Sequence, residues 1–194
     1  MKHLAKLSVI FAISVFTLNS CCLYKTEFTE AELKWIDPYE EGDTLIFRSS
    51  TGQMDTSWIV QKIIYYPECN PIAHHAKYKH QTARIYYQNS KLNYSSGGEE
   101  LISVVKYEDH TRIDIFYLTK GFSLDSPELM ELMRYYQDVK RVESESVYIL
   151  ANYHPKSEPE DIEFLYWHDE YGLIKYILHN GEEWKRVNLD VEIE

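Results

Sequence analysis

Glycine and proline are scarce in this chain, seven and six in 194 residues. Such a composition excludes a collagen-like or low-complexity chain. Neither a P-loop nor a dinucleotide-binding glycine fingerprint occurs, and there is no Gly-x-Ser-x-Gly elbow. The positive case for nucleotide chemistry or serine hydrolysis is therefore missing. Positive charge is also short, with 20 Lys and Arg against 31 Asp and Glu. That balance opposes nucleic acid and anionic lipid surfaces as partners. The longest uncharged apolar stretch, Leu7 to Leu18, has twelve residues. A bilayer span needs about 20, so no permanent transmembrane helix is expected.

What is present begins at the N-terminus. Lys2, His3 and Lys6 precede the apolar stretch, and Leu18-Asn19-Ser20-Cys21 follows it. A basic region, a short apolar region and a small residue before the cut form a secretory signal. The tetrad resembles the bacterial lipobox, with Leu18, Ser20 and Cys21 matching and Asn19 at its tolerant position. The resemblance implies cleavage after Ser20 and a diacylglycerol thioether on Cys21. Cys22 fits worse, because Asn19 would then stand at the aliphatic position. Two or three acyl chains, at about 0.8 kcal/mol per buried methylene, would hold the protein stably on a membrane. The expected organisation is a signal peptide over 1–20, a lipidated leader over 21–28 and one domain over 29–194. Cleavage removes two lysines and no acid, which leaves the mature chain at −13. Cys22 and Cys69 remain as thiols that an oxidising compartment could pair.

Aromatic residues are abundant, with 17 tyrosines and four tryptophans. Aromatic and β-branched enrichment suits strands. Thr29-Glu-Ala-Glu32 reads as a capping box with Phe28 and Leu33 as a hydrophobic staple, so a short helix is expected over 30–36. Pro38 ends it. Strands are expected over 43–50 and 56–66 as a hairpin, over 82–88, and over 101–107 and 112–119 as a second hairpin. On the last, Ile113, Ile115 and Tyr117 share one face, with Phe116 and Leu118 on the other. Residues 127–137 carry Leu129, Leu132, Met133 and Tyr136 at helical spacing behind Ser126-Pro127. Four further strands are expected over 146–153, 162–167, 173–178 and 183–189. Asn180-Gly181, between the last two, is a strong hairpin signal.

This pattern predicts a mainly β fold: an antiparallel meander forming an open curved sheet, half-barrel or barrel, with one or two short helices. No alternation of strand and helix appears, so a parallel nucleotide-binding sheet is disfavoured. Two segments carry a resemblance. ELKWIDPYEEGDTLIFRSSTGQMDT (32–56) and YGLIKYILHNGEEWKRV (171–187) resemble the post-lipobox segment and the closing hairpin of small Bacteroidetes lipoproteins. An extra residue, Asp37, departs from that pattern. The resemblance implies an envelope address and a fold type, and it brings no catalytic residue with it.

Candidate sites are few. Cys69, His74, His75 and His80 have ligand chemistry for zinc or copper, but their spacing matches no established metal motif. A histidine-bearing surface loop accounts for them. His168, Asp169 and Glu170 lie at a predicted turn and could do acid–base work, as could any polar turn. Glu158, Glu160, Asp161 and Glu163 lack calcium-loop spacing. The pairs Tyr65-Tyr66, Tyr86-Tyr87 and Tyr135-Tyr136 should each direct one ring outward or into a cavity. The expectation is a non-enzymatic, lipid-anchored envelope protein, placed on the outer membrane by its resemblance, that binds a protein or glycan and needs no cofactor or metal. The rivals are a hydrophobic-ligand carrier with Phe116, Tyr117 and Leu118 lining a cavity, and an envelope hydrolase using His168 and Asp169.

Overall fold

The computed structural model describes residues 24–68, 78–91, 97–118, 120–124, 137–142, 147–152 and 157–189. The cysteines, His74, His75, Tyr135, Tyr136 and the predicted 127–136 helical stretch lie outside the described residues.

Thirteen strands and one helix form the described chain. They are β1 (Tyr24–Lys25), α1 (Glu30–Leu33), β2 (Thr44–Ser49), β3 (Met54–Tyr65), β4 (Tyr78–Lys79), β5 (Gln81–Asn89), β6 (Glu99–Lys106) and β7 (Thr111–Tyr117). There follow β8 (Lys120–Leu124), β9 (Gln137–Val142), β10 (Val147–Asn152), β11 (Ile162–His168), β12 (Gly172–Leu178) and β13 (Glu183–Arg186). β1 and β4 form a small parallel pair. The other eleven strands form one sheet in the order β8-β7-β6-β5-β3-β2-β13-β12-β11-β10-β9, antiparallel throughout and nearly closed into a barrel.

The expected antiparallel meander is therefore the observed fold. Its first and last long strands meet: Trp184, Lys185 and Arg186 of β13 pair with Ser49, Arg48 and Phe47 of β2. The break in the ring falls between β8 and β9 instead. Eleven alternating strands leave these two edges running in the same direction, so antiparallel pairing cannot join them. Lys120 of β8 crosses near this break to Asp161, just ahead of β11, at 2.7 Å. Burial pushes the Asp161 carboxyl up, but Lys120 and the Glu158 backbone outweigh it and hold the carboxyl low.

Several expectations need correction. Tyr24 and Lys25, assigned to an unpatterned leader, form β1. The Thr26 hydroxyl donates to the Lys106 carbonyl at 2.6 Å and accepts the Gln81 N–H at 3.0 Å, which draws this segment onto the sheet. β8 and β9 were not anticipated, and Gln137, placed at the end of a helix, begins β9. The helix α1 is shorter than expected and continues as turns to Pro38.

Inside, alternate residues of each strand form one core. Ile59, Ile85, Tyr87, Val104, Ile115 and Tyr117 meet Tyr176, Leu165, Trp167 and Trp184. Phe116 faces outward at 38 % exposure and covers Gly121. It therefore does not line an interior cavity, as the carrier reading required. Leu118, at a positive φ of 46°, is partly buried and packs against the core.

Strand direction defines two ends. At the lower end, where Thr44, Gln81, Thr111 and Gly172 begin their strands, residues 28–39 close the interior. Phe28, Leu33 and Trp35 pack on the core, while Ile36 and Tyr39 are buried in it. Trp35 lies 4.8 Å from Tyr148 and Tyr39 lies 5.6 Å from Trp167, ring to ring. Glu32 ties this cap to the sheet. Its carboxylate accepts from the Thr29 backbone at 2.8 Å, from Lys106 Nζ at 2.7 Å and from the Thr111 hydroxyl.

Candidate functional site

The upper end carries a feature the sequence reading missed, a buried carboxylate. β3 starts at Met54, two residues earlier than expected, so Asp55 belongs to a strand and not to the preceding turn. With Ser57 and Ile59 it takes the inward phase of the strand, and it is fully buried. A charge in such a place needs donors around it. Asn89, at the end of β5, donates from Nδ2 to Asp55 Oδ1 and to Ser57 Oγ, both at 2.8 Å. The Tyr176 hydroxyl donates to Asp55 Oδ2 at 2.8 Å, and the Tyr117 hydroxyl lies 3.5 Å from the same oxygen. Lys91 Nζ stands 4.0 Å from Asp55 Oδ2 and 3.7 Å from the centre of the Trp184 ring.

Burial and the neighbouring Asp55 charge push both phenols well above their ordinary value. They therefore remain neutral hydroxyls, able to donate. The aromatic surroundings are dense: Phe47 packs 5.8 Å from Tyr117 and 5.3 Å from Tyr176, and Trp184 stacks on Tyr176 at 5.7 Å. Both Asp55 oxygens are already engaged. The arrangement fixes β3, β5, β7 and β12 against one another, and it presents no free base to a substrate. Among the described residues, the buried Trp184 Nε1 has no hydrogen-bond partner.

The residues singled out from sequence fall elsewhere. His168, Asp169 and Glu170 sit at the lower end, where Lys34, Asp37 and Pro38 join them around a groove of about 430 Å³. His168 Nδ1 accepts the Glu170 backbone N–H at 3.0 Å and its ring packs 4.7 Å from Tyr171. That nitrogen is occupied by the turn itself. His80 is half-buried, with Nδ1 3.1 Å from the Lys106 carbonyl and its ring 4.8 Å from Tyr107. Among the described residues, no three His, Cys, Asp or Glu side chains group to hold a metal ion. Of the tyrosine pairs, Tyr87 points inward and Tyr86 outward. Tyr65 and Tyr66 are both half-exposed, and Tyr66 donates to the Thr26 carbonyl at 3.0 Å.

The outer face carries a row of positive charge. Lys175 of β12 is paired in register with Lys185 of β13, and Lys185 with Arg48 of β2. Directly paired residues on neighbouring strands project from the same face. Glu183 answers two of the three, at 2.9 Å from Lys175 and 3.3 Å from Lys185. These two ammonium groups hold its carboxyl below the ordinary range. Beside them, Arg48, Ser49, Ser50, Glu183, Lys185 and Val187 line a groove of about 390 Å³.

Compared with models of protein families, with curated proteins and with solved structures, the chain matches none. No helix among the described residues is long and apolar enough to cross a membrane. Function has to be argued from the chain itself.

Proposed function

We propose that this protein is a lipid-anchored binding module of a bacterial cell envelope, held on the outer membrane through Cys21, and that it is not an enzyme. The observation that carries the reading is where the chain enters the fold. Tyr24 and Lys25 pair with Tyr78 and Lys79, and Thr26 is stitched to the lower end. Cys21 stands three residues ahead of Tyr24. An extended chain covers about 3.3–3.6 Å per residue, so acyl chains on Cys21 would keep the lower end within roughly 10 Å of the lipid surface. The upper end and the sides of the barrel would face away from it. Binding is favoured over catalysis because both Asp55 oxygens are engaged and His168 Nδ1 is held by its own turn.

Metabolic labelling with a palmitate analogue tests the anchor. The wild-type chain should take up label, and Cys21→Ser should lose it. Label retained on the Cys21→Ser protein overturns the assignment. The lower groove supports a second reading, an envelope hydrolase, because it does gather a histidine and carboxylates. An activity against ester or glycosidic substrates that disappears in His168→Ala, with the fold intact, would establish that reading in place of the first.

A further inference from the structure

We infer that the cationic row Lys175–Lys185–Arg48 is a binding strip for an acidic polysaccharide, one carrying carboxylate or sulfate groups along its length. The inference deepens the binding-module reading by naming a face and a ligand class, and it does not depend on the anchor.

Three observations carry it. First, the charge is anomalous. The chain has a net charge of −11, yet three cations are placed in register on three adjacent strands with one carboxylate, Glu183, among them. Like charges directly opposite on a sheet are destabilising. Among the described residues Arg48 has no acidic partner, although it is exposed. An anion from outside would complete the row. Second, the row is periodic. Neighbouring strands lie about 4.7–4.9 Å apart, so the outer cations stand roughly 10 Å from each other along the sheet. Acid groups repeating along a linear sugar polymer suit that scale better than a single small anion. The row continues beyond Lys175 to Tyr166, whose ring lies 4.7 Å under Lys175 Nζ. This adds an aromatic surface of the kind sugars stack on. The groove at the Arg48 end supplies the hydroxyl of Ser50.

Third, the surroundings disfavour other polyanions. β12, β13 and β2 are each paired on both sides, so no free edge invites a peptide to add as a strand. Arg48 also lies four residues along β2 from its lower end at Thr44, or about 13 Å at 3.2–3.4 Å per residue.

The test uses the full chain in non-ionic detergent, with polygalacturonate, dextran sulfate and neutral dextran as probes. Both acidic polymers should bind, and neutral dextran should not. Binding should weaken by roughly tenfold as salt is raised from low to about 0.3 M, as expected for screened surface charge. Arg48→Glu combined with Lys185→Glu should weaken binding at least tenfold at low salt. Lys34→Glu with Lys79→Glu, the same charge change elsewhere, should weaken it less than threefold. Thermal melting should show both variants folded. Equal loss in both double variants would mean that only net charge matters, and it overturns the inference. So does unchanged binding in the Arg48/Lys185 variant, or no binding by the wild type at low salt. Binding of neutral dextran through another face overturns the inference while leaving a binding module standing. Failure of the anchor appears separately, in the palmitate labelling.

Discussion

The two ends of the barrel are closed by opposite means. At the lower end a segment of chain folds across, and aromatic and aliphatic side chains fill the interior. A deep polar contact there is the Tyr39 hydroxyl, which accepts the Leu173 N–H at 2.7 Å. At the upper end the interior polar centre is a carboxylate on β3, held by side chains from three other strands. The first solution depends on shape and the second on satisfied hydrogen bonds. Shape should be the less forgiving. Tyr39 sits where Gly172 leaves room for it: a Cβ on Gly172 would stand 2.5 Å from Tyr39 Cζ, and the glycine has a φ of +69°. Tyr39→Ala should cost about 3–5 kcal/mol, the range for deleting a buried aromatic side chain, in chemical denaturation. Tyr39→Phe removes only the acceptor of one backbone N–H and should cost about 1–3 kcal/mol. Gly172→Ala should be severe in the wild type and milder beside Tyr39→Ala, and a double-mutant cycle would expose that coupling. Additive effects would show that the two residues do not share the space.

The upper end should respond next. Asp55→Ala leaves Asn89 and Tyr176 without their acceptor and should cost about 2–4 kcal/mol. Asp55→Asn preserves shape and should cost less. A loss in Asp55→Asn as large as in Tyr39→Ala would reverse the comparison. The phenols give an independent reading. Tyr39, Tyr117 and Tyr176 are all raised by burial, so they bind protons more tightly folded than unfolded. The stability they contribute is fully present below the unfolded value of 10.0 and is lost as pH rises beyond it. Tyrosinate absorbance should therefore rise in two stages, exposed rings first and these three only as the chain unfolds.

Much of the lower end was legible in the sequence. Thr29, Glu32, Phe28 and Leu33 have a local signature within six residues, and Pro38 marks the stop. The hairpins were legible for the same reason, since alternation and turn residues are short-range signals. The upper centre is different in kind. Asp55, Asn89, Tyr117 and Tyr176 are far apart in the chain and meet only when the sheet curls. One local clue did exist: Asp55, Ser57 and Ile59 occupy one phase of a strand, and a carboxylate on an apolar phase signals an interior partner. Starting that strand at Thr56 moved Asp55 into the turn and hid it. The cationic row was hidden similarly, because only the β13–β2 pairing brings Lys185 beside Arg48.

Acid should test the Glu32 tie at the lower end. Burial raises the Glu32 carboxyl, but Lys106, Thr111 and the Thr29 cap outweigh it and bring it from 4.5 down to about 2. Its contribution is present above pH 4.5 and is lost as pH falls from there towards 2. After allowance for partial solvent screening, this should amount to about 1–2 kcal/mol. Stability measured against pH should drop less steeply through that window in Glu32→Gln. An unchanged slope would mean that the tie from α1 to β6 and β7 carries little energy.

The smallest expected effect is also the one that separates folding from function. Arg48 faces Lys185 across the β2–β13 pairing, and among the described residues no carboxylate answers it. A like-charge pair in that position costs a few tenths of a kcal/mol. Arg48→Gln should accordingly leave the protein as stable as the wild type or about 0.2–0.5 kcal/mol more so, with the gain shrinking as salt rises. The substitutions at Tyr39, Asp55 and Glu32 each remove an interaction that the fold uses. If Arg48→Gln instead destabilises the protein, the guanidinium serves the fold and the case for an external anion weakens. If it stabilises the protein while lowering affinity for acidic polymers, the row is maintained at a cost to stability, as expected of a surface whose partner lies outside the chain.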